Sequence, residues 1–120
     1  MTPKDLGEAL VAACREGTDT ERLAEFYAPD AVSVEALDMG QGRVTEGLDG
    51  IRAKHDWWNG RFEMVGGTIE GPFPDGDARF AVIFAMEAKD RETGEVSAMK
   101  EVGLYTVSGG RIVREEFFYG

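Results

Sequence analysis

Arg79-Phe80-Ala81-Val82-Ile83-Phe84-Ala85-Met86-Glu87-Ala88, residues 79–88, is the stretch that decides how this chain folds. Successive side chains of a strand point to opposite faces. Phe80, Val82, Phe84 and Met86 are large and share one face, whereas Ala81, Ile83 and Ala85 are smaller and share the other. Both faces are apolar, so the reading predicts a strand covered on both sides. Downstream, Asp90–Gly94 turns the chain and Val96–Val107 forms a long strand. Ser108-Gly109-Gly110 is a hairpin loop, and Arg111–Tyr119 is the last strand. Upstream, Phe62–Glu70 is a weaker strand in which Gly66-Gly67 marks a bulge or sharp bend. Pro72–Gly76 reads as a turn.

The first half of the chain has helical periods instead. Thr2 can cap a helix with Pro3 at its first position. Leu6, Leu10, Ala13 and Cys14 form its apolar stripe, and Gly17 stops it. Thr18-Asp19-Thr20 caps a second helix with Leu23, Phe26 and Tyr27 on its stripe, ended by Pro29. Ala31–Ala36 is a short strand, with Val32 and Val34 on one face and Ser33 and Glu35 on the other. Asp38–Gly42 is a loop. A third helix runs from about Gly47 to Trp58 with Leu48, Ile51, His55 and Trp58 in its stripe, and Asn59-Gly60 closes it. Helices first and a meander of strands afterwards predict an α+β fold, with N-terminal helices packed on a curved, mostly antiparallel sheet. A bent sheet with helices across its hollow makes a cone-shaped barrel with an open mouth.

The 120 residues suffice for one domain, 1–120. A net charge of −10 excludes an electrostatic footprint for nucleic acid and disfavours anionic membranes. The hydrophobic content of 42% excludes wholesale disorder. Cys14 is the only cysteine, so no intrachain disulfide forms, and its place on an apolar stripe gives it the role of a small hydrophobe. The start, Met1-Thr2-Pro3-Lys4-Asp5, lacks the basic-then-apolar order of a signal peptide, and no apolar run approaches the ~20 residues that span a bilayer. These features point to a cytoplasmic protein. One histidine, no Cys/His cluster and no phosphate-binding glycine fingerprint leave metal and nucleotide chemistry unsupported, so no cofactor is expected.

Several segments resemble a known family. Leu23-Ala24-Glu25-Phe26-Tyr27-Ala28-Pro29-Asp30-Ala31-Val32, Thr45-Glu46-Gly47-Leu48-Asp49-Gly50-Ile51 and Trp57-Trp58-Asn59 occur in the order seen in the SnoaL-like, polyketide cyclase branch of the nuclear transport factor 2-like proteins. Tyr105–Val113 followed by Phe117-Phe118-Tyr119 completes the resemblance, which covers about residues 5–119. It implies a cone-shaped α+β barrel, a dimer and a pocket between sheet and helices. It does not imply one activity, because relatives include isomerases, dehydratases, hydrolases, aldol-type cyclases and non-catalytic binders. Matching the first strand to the ketosteroid isomerase branch puts Glu35 at the position of a general base. The acidic oxyanion donor of that branch falls at Val102 or Gly103 and is absent, which argues against ketosteroid isomerase chemistry itself.

The last hairpin offers further carboxylates. A three-residue loop with Gly110 in the left-handed position pairs Val107 with Arg111. Tyr105 then faces Val113, Gly103 faces Glu115 and Glu101 faces Phe117. Met99, Glu101, Tyr105, Val113, Glu115, Phe117 and Tyr119 share the pocket face, with Glu101 and Glu115 as diagonal neighbours roughly 7–8 Å apart at Cα. A two-residue loop at Gly109-Gly110 shifts the register by one and changes the face. Glu35, Glu101, Glu115 and His55 are therefore the candidate catalytic residues. Tyr27, Trp58, Phe84, Tyr105, Phe117 and Tyr119 are the candidate substrate contacts. The expected function is a cofactor-independent isomerase, cyclase, dehydratase or hydrolase acting on a small hydrophobic ligand. The alternatives are a non-catalytic binder or a dimerisation module. A homodimer through the convex face that carries Ala81, Ile83 and Ala85 is also expected.

Overall fold

The computed structural model describes residues 1–38 and 40–120; Met39, in the loop expected at 38–42, lies outside the described residues. Helices α1 (Pro3–Glu16), α2 (Leu23–Phe26) and α3 (Leu48–Arg61) alternate in part with strands β1 (Tyr27–Val34) and β2 (Val44–Glu46). Strands β3 (Phe62–Asp75), β4 (Arg79–Asp90), β5 (Val96–Ser108) and β6 (Arg111–Phe118) follow. Among the described residues the strands form one sheet in the order β2-β1-β6-β5-β4-β3. All neighbours are antiparallel except β1 and β6. The chain thus adopts the expected α+β architecture.

Local chemistry sets α1. The Thr2 hydroxyl accepts the Asp5 N–H at 3.1 Å, Pro3 occupies the first turn, and Gly17 closes the helix at φ 75°. The helix lies close across β3 and β4: a Cβ on Gly7 would come within 2.7 Å of Pro72. The Arg15 guanidinium donates to the Ile69 carbonyl at 2.6 and 3.1 Å. Leu6, Leu10, Phe26, Ile51, Phe80, Val82 and Ile112 meet between helices and sheet as the core. The large face of residues 79–88 is therefore the inward face, as the alternation predicts.

Several boundaries differ from the sequence reading, each for a tertiary reason. The second helix is only Leu23–Phe26, because Tyr27 already pairs with Ile112 as the first residue of β1. β1 accordingly spans Tyr27–Val34 instead of Ala31–Ala36. α3 does not stop at Asn59-Gly60. Arg61 is anchored to Asp90 at 3.0 Å and Glu92 at 2.9 Å, and Arg91 donates to the Asn59 carbonyl at 3.1 Å, so partners from the β4–β5 hairpin sustain the last turn. β3 continues through Pro72 to Asp75, where a turn was expected. It is an edge strand, and an edge tolerates proline. The bulge anticipated at Gly66-Gly67 is present between Met64 and Gly66. The three-residue β2 was not anticipated.

The β5–β6 hairpin carries the main correction. Its loop is the two residues Gly109-Gly110, at φ 61° and 77°, with Ser108 opposite Arg111. That shifts the register by one, as the alternative reading requires. A bulge opposite Thr106–Val107 then shifts it again, so that Thr106 pairs with Arg114, Tyr105 with Glu115 and Gly103 with Phe117. Two one-residue shifts restore the face. Glu115 and Phe117 point inward as expected, but Ile112 takes the buried place assigned to Val113. Glu101 and Glu115 are not diagonal neighbours, since Glu115 lies opposite Tyr105, four residues beyond Glu101. Nor does Gly103 leave a gap. The Tyr105 ring folds back over it, so a Cβ there would lie 2.9–3.1 Å from that ring.

The Tyr105 ring cannot retreat, because it stacks on Phe80 at 5.0 Å. Gly103→Ala is expected to lower stability by about 1–3 kcal/mol through overpacking. Chemical denaturation reads this directly; an unchanged midpoint would mean the ring has room to move.

Candidate functional site

The sheet brings Glu115 between two neighbours on its inner face. Ser33 of β1 is its parallel partner and Tyr105 of β5 its antiparallel one. Glu115 is 2% exposed and Ser33 0%, the two buried polar residues of the described core. A carboxyl group in such a place needs donors. The Tyr27 hydroxyl bonds Glu115 Oε2, and the Ser33 hydroxyl is hydrogen-bonded to the same carboxyl. Burial raises the Glu115 pKa above the ordinary carboxylate value, and the bonds from Tyr27 and Ser33 oppose the rise. Burial and the neighbouring Glu115 charge hold the phenols of Tyr27 and Tyr105 well above their usual pKa, so both remain protonated.

A second, partly exposed tier adjoins it. Lys54 Nζ donates to Ser33 Oγ at 2.8 Å and pairs with Glu35 Oε1 at 2.6 Å. Since the Ser33 hydroxyl accepts from Lys54, its own proton is directed to Glu115. Tyr119 donates to Glu35 Oε2 at 3.0 Å. The resulting chain runs Tyr27–Glu115–Ser33–Lys54–Glu35–Tyr119. Lys54 also sits 5.8 Å above the Phe117 ring, which meets Tyr105 edge-on at 6.3 Å. Glu101 pairs across the sheet with Phe84 and lies one position past the Val102–Phe118 pair, alongside Tyr119. Its pKa is pushed up to about 7, first by burial, then by the charges of Glu35 and Glu115, against the pull of Lys54. Glu35, Lys54, Glu101 and Tyr119 are all partly exposed, so this tier is open to solvent.

The remaining candidates have other surroundings. His55 Nδ1 is 3.0 Å from Thr20 Oγ1 and 3.6 Å from Asp19, on the α2 side of α3, and still acts electrostatically on Glu115. Trp58 is turned to Phe62, 4.5 Å between ring centres, outside the hydrogen-bonded chain. Phe84 is buried in the core. Burial and Asp19 raise the Cys14 thiol far above its ordinary pKa, which keeps it protonated and inert. Ser33 and Lys54 were not recognised as site residues in the sequence. The signal for Lys54 is its spacing, three after Ile51 and four before Trp58, which puts it beside the apolar stripe. Two surface depressions of about 340 and 320 Å³ lie elsewhere, one around Gly67, Met86 and Met99 and one around Pro3, Pro72 and Phe80. Among the described residues no three His, Cys, Asp or Glu side chains are grouped as a metal ion requires, and no helix is long and apolar enough to cross a membrane.

Comparison with known proteins agrees with this geometry. The model of the SnoaL-like domain matches residues 8–115. The chain belongs to the SnoaL-like domain family. A solved structure from Mesorhizobium loti, given as a candidate SnoaL-like polyketide cyclase [carbohydrate phosphatase], is 34% identical with a TM-score of 0.90, covering 99% of this chain and 100% of that one. A Xanthomonas campestris protein of unknown function with a cystatin-like fold is 18% identical at a TM-score of 0.78, covering 100% and 92%. A Catenulispora acidiphila protein with a ketosteroid isomerase-like fold, solved with trimethylamine, is 21% identical at 0.74, covering 100% and 88%. The last two likenesses show the fold alone. No match was found among curated proteins.

The carboxylate cluster has a pH signature. Glu101 faces Glu35 beyond β1, Lys54 on α3, and Glu115 and Tyr119 on or beyond β6. Its folded pKa of about 7 lies above the unfolded value, near 4.3 for a free glutamate. The folded state keeps a proton that the unfolded state has released, so stability falls as pH rises from about 4.3 to about 7 and then levels. Glu101→Gln is expected to flatten that fall and to be more stable than the wild type at pH 8. Thermal unfolding from pH 4 to 8 reads it, and parallel curves for the two proteins would place Glu101 in a solvated setting.

Proposed function

We propose that this SnoaL-like protein transfers protons on a small hydrophobic substrate without a cofactor, as an isomerase or cyclase does. The observation that carries the reading is Glu101, a partly exposed carboxyl whose pKa is pushed up to about 7 beside the hydrogen-bonded chain that runs from Tyr27 to Tyr119. A base or acid with a pKa near the working pH transfers protons most effectively. Phe117 and Tyr119 supply partly exposed aromatic surface near it, while Glu115 and Tyr105 are buried beneath. The likeness to candidate polyketide cyclases and to a Bacillus subtilis protein given as a candidate isomerase supports this chemistry. His55, held by Thr20 and Asp19, acts through the field it exerts on Glu115.

The test is hydrogen–deuterium exchange at carbon. The protein is incubated in D2O with a panel of small hydrophobic ketones, and the α-protons are followed by NMR. Exchange above the buffer rate is expected, and Glu101→Gln should reduce it about 100-fold or more, the usual scale of a lost general base. No protein-dependent exchange across the panel would favour the non-catalytic binding reading.

A homodimer through the outer face of the sheet is part of the same proposal. Cross-strand register sets Phe73, Ala81 and Leu104 in one row, which Glu116 ends, and Ile83, Val102 and Phe118 in the next, which Glu70 begins. Phe73 is 46% exposed and Phe118 51%. Two aromatics flanking small and branched residues suit a self-complementary two-fold contact. Sedimentation at micromolar concentration should give twice the chain mass, and Phe118→Asp should shift it toward the monomer. A monomeric wild type would overturn the assignment.

A further inference from the structure

The segment between α1 and α2, Gly17-Thr18-Asp19-Thr20-Glu21-Arg22, contains no hydrophobic residue, although it lies between the buried Ala13 and the buried Leu23. Nothing apolar anchors it. Its ends are loosely held as well. Gly17 stands at φ 75° with no atom within 4 Å of the place a Cβ would take. At the other end α2 is a single turn of four residues, and its N-cap, Arg22, makes no capping bond from its side chain. Arg22 turns instead to α2 itself, pairing with Glu25 at 2.6 Å and lying 4.8 Å above the Phe26 ring. A helix this short has little stability of its own.

The contacts that hold the segment down are polar and come from α3. The Thr20 hydroxyl lies 3.0 Å from His55 Nδ1 and accepts the Asn59 side-chain N–H at 3.2 Å. Asp19 lies 3.6 Å from the same ring nitrogen. The remaining bonds, from Thr18 to the Ala13 carbonyl and from the Arg22 N–H to the Asp19 carbonyl, stay within the segment or the end of α1. Bonds between partly exposed groups exchange for bonds to water at small net cost, so a segment held by them opens locally while the core stays folded. Beside the segment is Cys14, partly exposed, with its thiol hydrogen-bonded to Asp19. The same thiol is within electrostatic reach of Glu115, Tyr27 and Tyr105. Cys14 thus links the segment to the Tyr27 end of the hydrogen-bonded chain, the end opposite Glu35 and Tyr119.

We propose that residues 17–22 form a lid, hinged at Gly17 and latched to α3 through Thr20, whose opening uncovers Cys14 and the Tyr27–Glu115 end of the buried chain while the sheet and α3 stay folded. Closed, the lid helps to keep water from Glu115, which is 2% exposed. Open, it admits a small uncharged molecule to that end. The lid goes beyond the proton-transfer reading and does not depend on it.

Cys14 is the only cysteine, so its thiol reports the opening in the unaltered chain. The probe is 4,4′-dithiodipyridine, a small uncharged disulfide. The thiol gives up its proton, its sulfur attacks one sulfur of the probe, and a mixed disulfide forms as 4-thiopyridone leaves and is read by its absorbance. Native wild type is expected to label more slowly than the urea-unfolded chain, at a rate that stays flat in low urea, because a local opening exposes little surface. Thr20→Val removes both bonds of the latch and should speed native labelling about 10- to 100-fold, with the urea midpoint nearly unchanged. Thr20→Ser keeps the hydroxyl and should restore the wild-type rate. Asn59→Ala removes one bond and should fall between, and it carries the comparison should Thr20→Val fail to fold. Native labelling as fast as that of the unfolded chain would overturn the proposal, since the thiol would then never be covered. So would a rate that rises with urea as steeply as global unfolding, or latch variants that label at the wild-type rate.

Discussion

A carboxyl group inside a protein core must be given donors, and the placement of Glu115 shows what that demand does to a small fold. Its two hydroxyl partners, Tyr27 and Ser33, both come from β1. Supplying both requires β1 to lie parallel to β6 with Ser33 level with Glu115 and Tyr27, six residues earlier, level with Ile112, only three before Glu115. Between them the chain must absorb a register break, which falls across Ala28–Ala31. α2 must end at Phe26 for Tyr27 to reach inward. Leaving one buried acceptor unsatisfied costs about 1–3 kcal/mol, a sizeable share of the stability of a domain this small. The parallel pair, the short α2 and the break in β1 thus serve one buried carboxyl.

The same demand passes outward along the chain of bonds. Ser33 gives its proton to Glu115 and needs a donor in return, which Lys54 supplies. Lys54, now desolvated on one side, needs a counter-charge, and Glu35 supplies it. Each group is satisfied by the next until solvent is reached at Glu35 and Tyr119. Glu101 stands beside this chain without joining it. It feels the burial and the negative charges but has no salt-bridge partner of its own among the described residues, so it keeps its proton to a pH of about 7. A titratable group poised near neutrality is the consequence first of burial and then of the charges of the two neighbouring carboxyls, Glu35 and Glu115.

How much of this was legible in the sequence follows from which forces are local. Alternation in residues 79–88 gave the inward face directly, and capping residues gave α1, because both depend on neighbours in the chain. The third helix ran past Asn59-Gly60 because Asp90, Glu92 and Arg91 hold its last turn, and no local pattern carries that information. β2 is three residues long and pairs only with the end of β1. Of the site, Glu101, Glu115, Tyr105, Phe117 and Tyr119 follow from strand parity, and Glu35 from the family resemblance. Tyr27 was assigned to a helical stripe, although its hydroxyl belongs to β1 and Glu115. Ser33 and Lys54 were missed because a serine on a strand and a lysine on a helix usually face water. They matter here only through partners distant in sequence.

The β5–β6 hairpin shows why parity survived an incorrect register. The two-glycine loop alone would turn Glu115 and Phe117 outward and bring Arg114 and Glu116 into the core. Those two pair with each other at 2.5 Å on the outer surface, where an exposed ion pair costs little to hydrate. Buried, they would be a charged pair surrounded by Ile112, Tyr105 and Leu23, an arrangement whose desolvation exceeds what their attraction returns. The bulge beyond the loop prevents this by restoring the inward phase before Glu115 is reached. The inward set is thus decided by burial energetics over the whole strand and not by loop length. That phase sets Glu115 beside Tyr105 and brings Phe117 edge-on to Tyr105 and under Lys54, so the whole carboxylate cluster depends on the bulge.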